Sequence, residues 1–131
     1  MHKHILVTAT VKEAPTDPLV IEDFLARLVS LVDMEIFMPP KAKYCYDPLN
    51  SGVTGTVVIT TSHASIHIWD NVPQNPYPGM LQFDLYSCKD FEPSDVLEFI
   101  KQYFGATIHD YLVIDRGLQS FAASAASEKA A

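Results

Sequence analysis

From His63 to Trp69 the chain alternates. Ala64, Ile66 and Ile68 fall on one side of an extended backbone, and His63, Ser65, His67 and Trp69 fall on the other. The same two-residue period, rich in β-branched residues, marks strands over His4–Lys12, Val53–Thr61, Ala64–Trp69, Met80–Cys88 and Ala106–Gly117. Between the first two strands the period changes. Ile21, Phe24, Leu25, Leu28, Val29 and Val32 recur at helical spacing behind Asp17 and Pro18, an N-cap followed by a first-turn proline. A second helix is predicted where Val96, Phe99, Ile100, Tyr103 and Phe104 form a stripe, with Ser94 as N-cap and Gly105 as the stop. Met34–Tyr46 reads as extended but carries Pro39 and Pro40, which cannot donate to a ladder and so mark an edge, a bend or a loop. Asp47–Gly52 has turn chemistry, and Asp70–Gly79, with three prolines, reads as a surface loop.

The order β-α-β-β-β-β-α-β with hairpin-like spacing predicts an α+β fold. It is a two-layer sandwich of a mainly antiparallel sheet with both helices on one face. Residues 1–118 would form one domain, followed by a low-complexity tail over 119–131. Several strands carry apolar residues on both faces. The face without helices therefore needs cover, and stacking two sheets as a homodimer, αββα, would supply it.

Composition changes this picture little. A chain of 131 residues that is 48% hydrophobic can bury a real core, and no apolar run approaches the ~20 residues of a membrane helix. The first ten residues are too mixed for a signal peptide, which points to a cytoplasmic protein. A net charge of −7, with Lys41 and Lys43 the only basic cluster, argues against nucleic acid and is compatible with a cationic substrate. Without an export signal, Cys45 and Cys88 are expected as free thiols.

The candidate chemistry lies in "TTSHASIHIW", Thr60–Trp69. His63 and His67 have the spacing of zinc ligands on a helix. On a strand, however, that spacing separates them by roughly 13 Å, too far for one ion with bonds of ~2 Å, so no metal is expected. A polar strand face bearing two histidines also needs no function. Ser62 sits at the predicted turn between two strands, but His67 is out of phase with it on a regular strand. They meet only if the turn reorients the serine or if Ser62 finds its partner elsewhere in space.

The runs "SGVTGTVVITTSHASIHIW" and "FDLYSC" resemble the prokaryotic S-adenosylmethionine decarboxylase proenzymes, and the similarity extends over about residues 3–117. The resemblance implies a self-made cofactor. The serine matching Ser62 attacks the carbonyl of Thr61, the peptide becomes an ester, and elimination leaves a pyruvoyl group at the new N-terminus. That group forms a Schiff base with the substrate amine and acts as electron sink for decarboxylation, a step in polyamine synthesis. By position, Thr54 would help polarise the scissile carbonyl and His67 would assist removal of the serine Cα proton. Cys88 would reprotonate the decarboxylated carbon, and Tyr46 and Trp69 would approach the adenine. Singly, each has an ordinary structural reading as a strand or core residue; the set at family spacing carries the resemblance.

The chain departs from the family pattern at three places. Thr61 stands where many members have Glu. Trp69-Asp70-Asn71 replaces Trp-Pro-Glu, which puts Asp70 one place early for an acid that would hold the ribose hydroxyls. The proline-rich loop is several residues longer. These departures leave three readings: S-adenosylmethionine as substrate, a basic amino acid such as arginine or ornithine, or a homologue that binds a ligand or partner without cleaving.

Overall fold

The computed structural model describes residues 2–71 and 79–118. Its elements follow the predicted order: β1 (Lys3–Val11), α1 (Pro18–Leu31), β2 (Ile36–Cys45), β3 (Gly52–Ile59), β4 (Ser62–Trp69), β5 (Gly79–Ser87), α2 (Pro93–Phe104) and β6 (Thr107–Asp115). The strands form one six-stranded sheet in the order β2-β3-β4-β5-β1-β6, with every neighbouring pair antiparallel. The predicted α+β sandwich is the observed fold. The 72–78 part of the proline-rich loop and the 119–131 tail lie outside the described residues.

Two local details differ from the sequence reading and a third decides among alternatives it left open; each has a cause. α2 begins at Pro93 with Glu92 as N-cap, so Ser94 lies inside the first turn. A proline at the first helical position has φ already set and no N–H to leave unpaired. The β3–β4 connection is the pair Thr60-Thr61, not Ser62-His63, and β4 starts at Ser62. This register sets Val57 opposite Ala64 and Val53 opposite Ile68, with all four buried; a one-residue slip would turn one strand's apolar set to solvent. The third detail is β2, a full strand that runs through Pro39 and Pro40. It is an edge strand paired only with β3, and its register shifts between Met38 and Lys41, where the prolines leave the ladder.

One face of the sheet carries the core. Ile5, Val7, Ile66, Leu81, Phe83 and Leu85 are buried against Ile21, Phe24 and Leu25 of α1 and Val96 and Ile100 of α2. Phe24 lies at the centre, its ring 6.0 Å from Phe83 and 4.7 Å from Phe104. This packing puts both helices on the same face. The opposite face has no helix: along β4 its side chains are His63, Ser65, His67 and Trp69, all half-buried. Among the described residues no helix is long and apolar enough to cross a membrane.

Candidate active site

The β3–β4 hairpin closes with only two loop residues, Thr60 and Thr61. Such tight turns normally place glycine or asparagine in the loop, because the favoured types need positive φ there. Here neither threonine has positive φ; the distortion falls on the next residue, Ser62, at φ 151°. A side chain in that region costs of order 1–3 kcal/mol and persists only when its surroundings hold it. The surroundings do so. Ser62 is paired with Ile59 on one side and Ser87 on the other. The Thr61 carbonyl oxygen accepts a hydrogen bond from the Cys88 backbone N–H at 3.0 Å. The Thr61 hydroxyl oxygen accepts from the fully buried Ser87 hydroxyl at 2.9 Å. The Thr61–Ser62 peptide is therefore strained on one side and has its carbonyl polarised on the other. It opens onto a depression of about 530 Å³ whose lining includes Phe37, Thr61, Ser62, Tyr86 and Cys88. Cys88 is exposed there, and Cys45 is likewise a free thiol.

Next to the serine the helix-free face holds a polar chain across three strands. Ser62 Oγ lies 3.2 Å from His63 Nδ1, and His63 Nε2 lies 4.0 Å from Asp84 Oδ2. The same Asp84 oxygen is 2.9 Å from His4 Nε2, while its other oxygen accepts from the Ser65 hydroxyl.

Thr54 and His67 form a second cluster. They face each other across β3 and β4, with Thr54 Oγ1 3.1 Å from His67 Nδ1. The His67 ring stacks on Trp69 at 5.7 Å, and Trp69 Nε1 donates to Asn50 Oδ1 at 2.6 Å. Beyond them Asp70 is engaged at both oxygens: Ser51 donates to one at 2.6 Å and the Tyr44 hydroxyl to the other. Burial works against the Asp70 charge, but the Ser51 and Tyr44 hydroxyls outweigh it, so the carboxyl sits below its ordinary range. The reciprocal effect of that hydrogen bond, helped by burial, raises the Tyr44 phenol. Tyr46 packs against Tyr44 at 4.7 Å and is otherwise exposed.

The structure thus brings together Thr61, Ser62 and Cys88, and separately Thr54, His67 and Trp69. It does not bring the two groups together within one chain. Five residues of extended strand separate Ser62 from His67, roughly 17 Å. Reading the sequence weighed His63 only as a zinc-spaced or strand-face histidine, not as a partner of Ser62, and missed Asp84, His4, Ser87 and the Cys88 backbone N–H. One signal was available: Asp84 is the only charged residue of β5, in the middle of an alternating strand. Its neighbours follow only from the β4-β5-β1 strand order. Among the described residues no group of three or more His, Cys, Asp or Glu could hold a metal ion.

Residues 3–117 match the family described as S-adenosylmethionine decarboxylase. The chain is also similar to proteins called S-adenosylmethionine decarboxylase proenzyme. That of Pyrococcus furiosus is 27% identical over 108 residues, which is 82% of this chain and 70% of that protein. That of Pyrococcus horikoshii is 30% identical over 63% of this chain and 55% of its own length. The Acidithiobacillus ferrooxidans protein is 34% identical over 50% of this chain and 46% of its own. The similarity to the latter two therefore spans about half of each relative.

Proposed function

The chain belongs to the S-adenosylmethionine decarboxylase family, and from that premise we propose that it is a pyruvoyl-dependent S-adenosylmethionine decarboxylase proenzyme that cuts itself between Thr61 and Ser62. The observation that carries this reading is the scissile peptide itself: Ser62 at φ 151°, with the carbonyl before it held by the Cys88 N–H. An oxyanion formed when the Ser62 hydroxyl adds to that carbonyl would keep this donor, which is what a tetrahedral intermediate requires. Strain at Ser62 is relieved when the peptide opens to the ester. The residues around Ser62 therefore fit a prosthetic group made from the serine. Once formed, a pyruvoyl carbonyl supplies an electron sink for loss of carbon dioxide from a bound amino acid.

The chain's own residues then divide the work. The Cys88 thiol, exposed in the same depression, is placed to return a proton to the decarboxylated carbon. Thr54 and His67 cannot reach Ser62 of their own chain, but they lie on the helix-free face. A second copy stacked sheet to sheet in antiparallel sense would carry its Thr54 and His67 toward the first copy's Ser62. Leu6 and Leu112, exposed on neighbouring strands, would gain cover in the same contact. The reading is thus of a cytoplasmic homodimer with two composite sites, in which Tyr46 and Trp69 supply aromatic surface to adenine.

Electrospray mass of the denatured protein tests the central step. Two fragments broken between Thr61 and Ser62 are expected; an intact 14.6 kDa chain after long incubation would sink the reading and favour a non-cleaving homologue.

A second reading, a basic amino acid as substrate, is favoured by the environment of Asp70. Both of its oxygens are already engaged by Tyr44 and Ser51, so it is poorly free to take the ribose hydroxyls. Carbon dioxide release from S-adenosylmethionine, arginine and ornithine separates the two.

A further inference from the structure

We propose that His63 is the base that takes the Ser62 hydroxyl proton during self-cleavage, and that Asp84, shared with His4, positions it. This rests on the self-cleavage reading and adds to it a residue for the first step, distinct from the Cα deprotonation assigned to His67.

The adding hydroxyl must lose a proton as its oxygen bonds to the Thr61 carbonyl carbon. The groups near Ser62 Oγ decide where that proton goes. His63 Nδ1, at 3.2 Å, is within hydrogen-bond reach. His67 of the same chain is five strand residues away. His4 is turned elsewhere, with Nε2 on Asp84 and Nδ1 3.4 Å from Arg116. Cys88 meets the turn through its backbone N–H, on the carbonyl side of the bond.

Asp84 gives His63 the right tautomer. A carboxylate 4.0 Å from Nε2 favours the proton on that nitrogen and leaves Nδ1 as an acceptor facing Ser62. Asp84 is itself fixed, by His4 on one oxygen and Ser65 on the other. Its side chain is 26% exposed and that of His4 16%, against 45% for His63. The acid is therefore anchored while the base keeps freedom to move.

The step balances without a further reagent. The Ser62 Oγ–Thr61 C bond forms and the proton passes to His63 Nδ1. The Thr61 C–Ser62 N bond then breaks, and His63 returns the proton to the departing nitrogen, leaving an ester and a free amine. Sequence adjacency lets one side chain serve both atoms, since Oγ and N belong to the residue just before His63.

The test is cleavage followed by denatured-protein mass in purified full-length chains. His63→Ala should cleave on the order of 10²-fold more slowly than the parent chain, and added imidazole should restore part of the rate. Thermal melting and size-exclusion elution like the parent would show that it is folded. Asp84→Asn should cleave more slowly, because the imidazole loses the carboxylate that fixes its tautomer; Asp84→Glu should recover much of the rate. The other groups facing His63 are Tyr86 from β5, His4 from β1 behind Asp84, and His2 and Arg116 over the Tyr86 ring; its β3 partner is Val58. A parent chain that cleaves alongside a His63→Ala chain of equal rate would overturn this proposal alone. A slow His63→Ala chain that imidazole does not rescue, with an Asp84→Asn chain that Asp84→Glu does not better, would also overturn it and leave a structural role. A parent chain that never cleaves would overturn the proposed function with it.

Discussion

The two ends of β4 carry similar side chains and behave in opposite ways. At its start, Ser62 is held at φ 151° beside a polarised carbonyl and a histidine. At its far end, Trp69 and Asp70 are relaxed, with their polar atoms taken up by Asn50, Ser51 and Tyr44. One end is arranged to react and the other to hold. His67 stands near the holding end although its implied task belongs to the reacting one. Closeness in sequence along a strand is thus a poor guide to closeness in space, because each residue adds roughly 3.3 Å.

The largest effect should come from removing the nucleophile. Ser62→Ala leaves no hydroxyl to add to Thr61, so the chain should stay intact by mass indefinitely; any fragment ending at Thr61 would break the contrast between the two ends.

Next comes the link between the ends. His67→Ala alone should process on the order of 10²-fold more slowly. Unfolded and refolded together with Ser62→Ala, it should recover cleavage of its own chains, since the Ser62→Ala copy brings an intact His67. If mixing gives no recovery, the composite site is wrong.

Cys88→Ala sharpens the roles at the reacting end. The backbone N–H survives the substitution, so cleavage should stay within about two-fold of the parent, while decarboxylation falls on the order of 10²-fold. Parallel loss of both would mean that the thiol is needed for processing.

Stability should show the smallest effects, with opposite signs at the two ends. Ser62→Gly removes the side-chain penalty at positive φ and should raise stability by about 1 kcal/mol in denaturant unfolding. Asp70→Asn should lower it by about 1 kcal/mol at neutral pH through weakened hydrogen bonds. Because the folded-state carboxyl of Asp70 titrates below its unfolded value, its contribution is present above about pH 4 and is lost as pH falls through the lower folded value. Asp70→Asn should therefore lose less stability than the parent on acidification; an identical acid slope would count against the engaged carboxylate.

Much of the fold was legible because burial leaves a periodic trace. The alternation in β4 and β5 and the stripe from Ile21 to Val29 assigned the core face correctly. Asp17 capped its helix and Gly105 took the left-handed stop, as their chemistry implies. The turn was misplaced by two residues, because threonines are strand formers by composition and only the register of two paired strands puts Thr60 and Thr61 in the loop. Ser62 was visible as a candidate, but its strain was not, since φ depends on the ladder on both sides.

The sequence by itself determined the elements, the apolar face, the family and Ser62 as a candidate, all of which are properties of local order along the chain. The tertiary structure alone decided which groups meet. Asp84 lies between His63 and His4 because β5 sits between β4 and β1, and the Cys88 N–H reaches Thr61 because β5 ends beside the hairpin. Hydrogen bonding across strands depends on register and strand order, which one chain's residue pattern does not encode position by position.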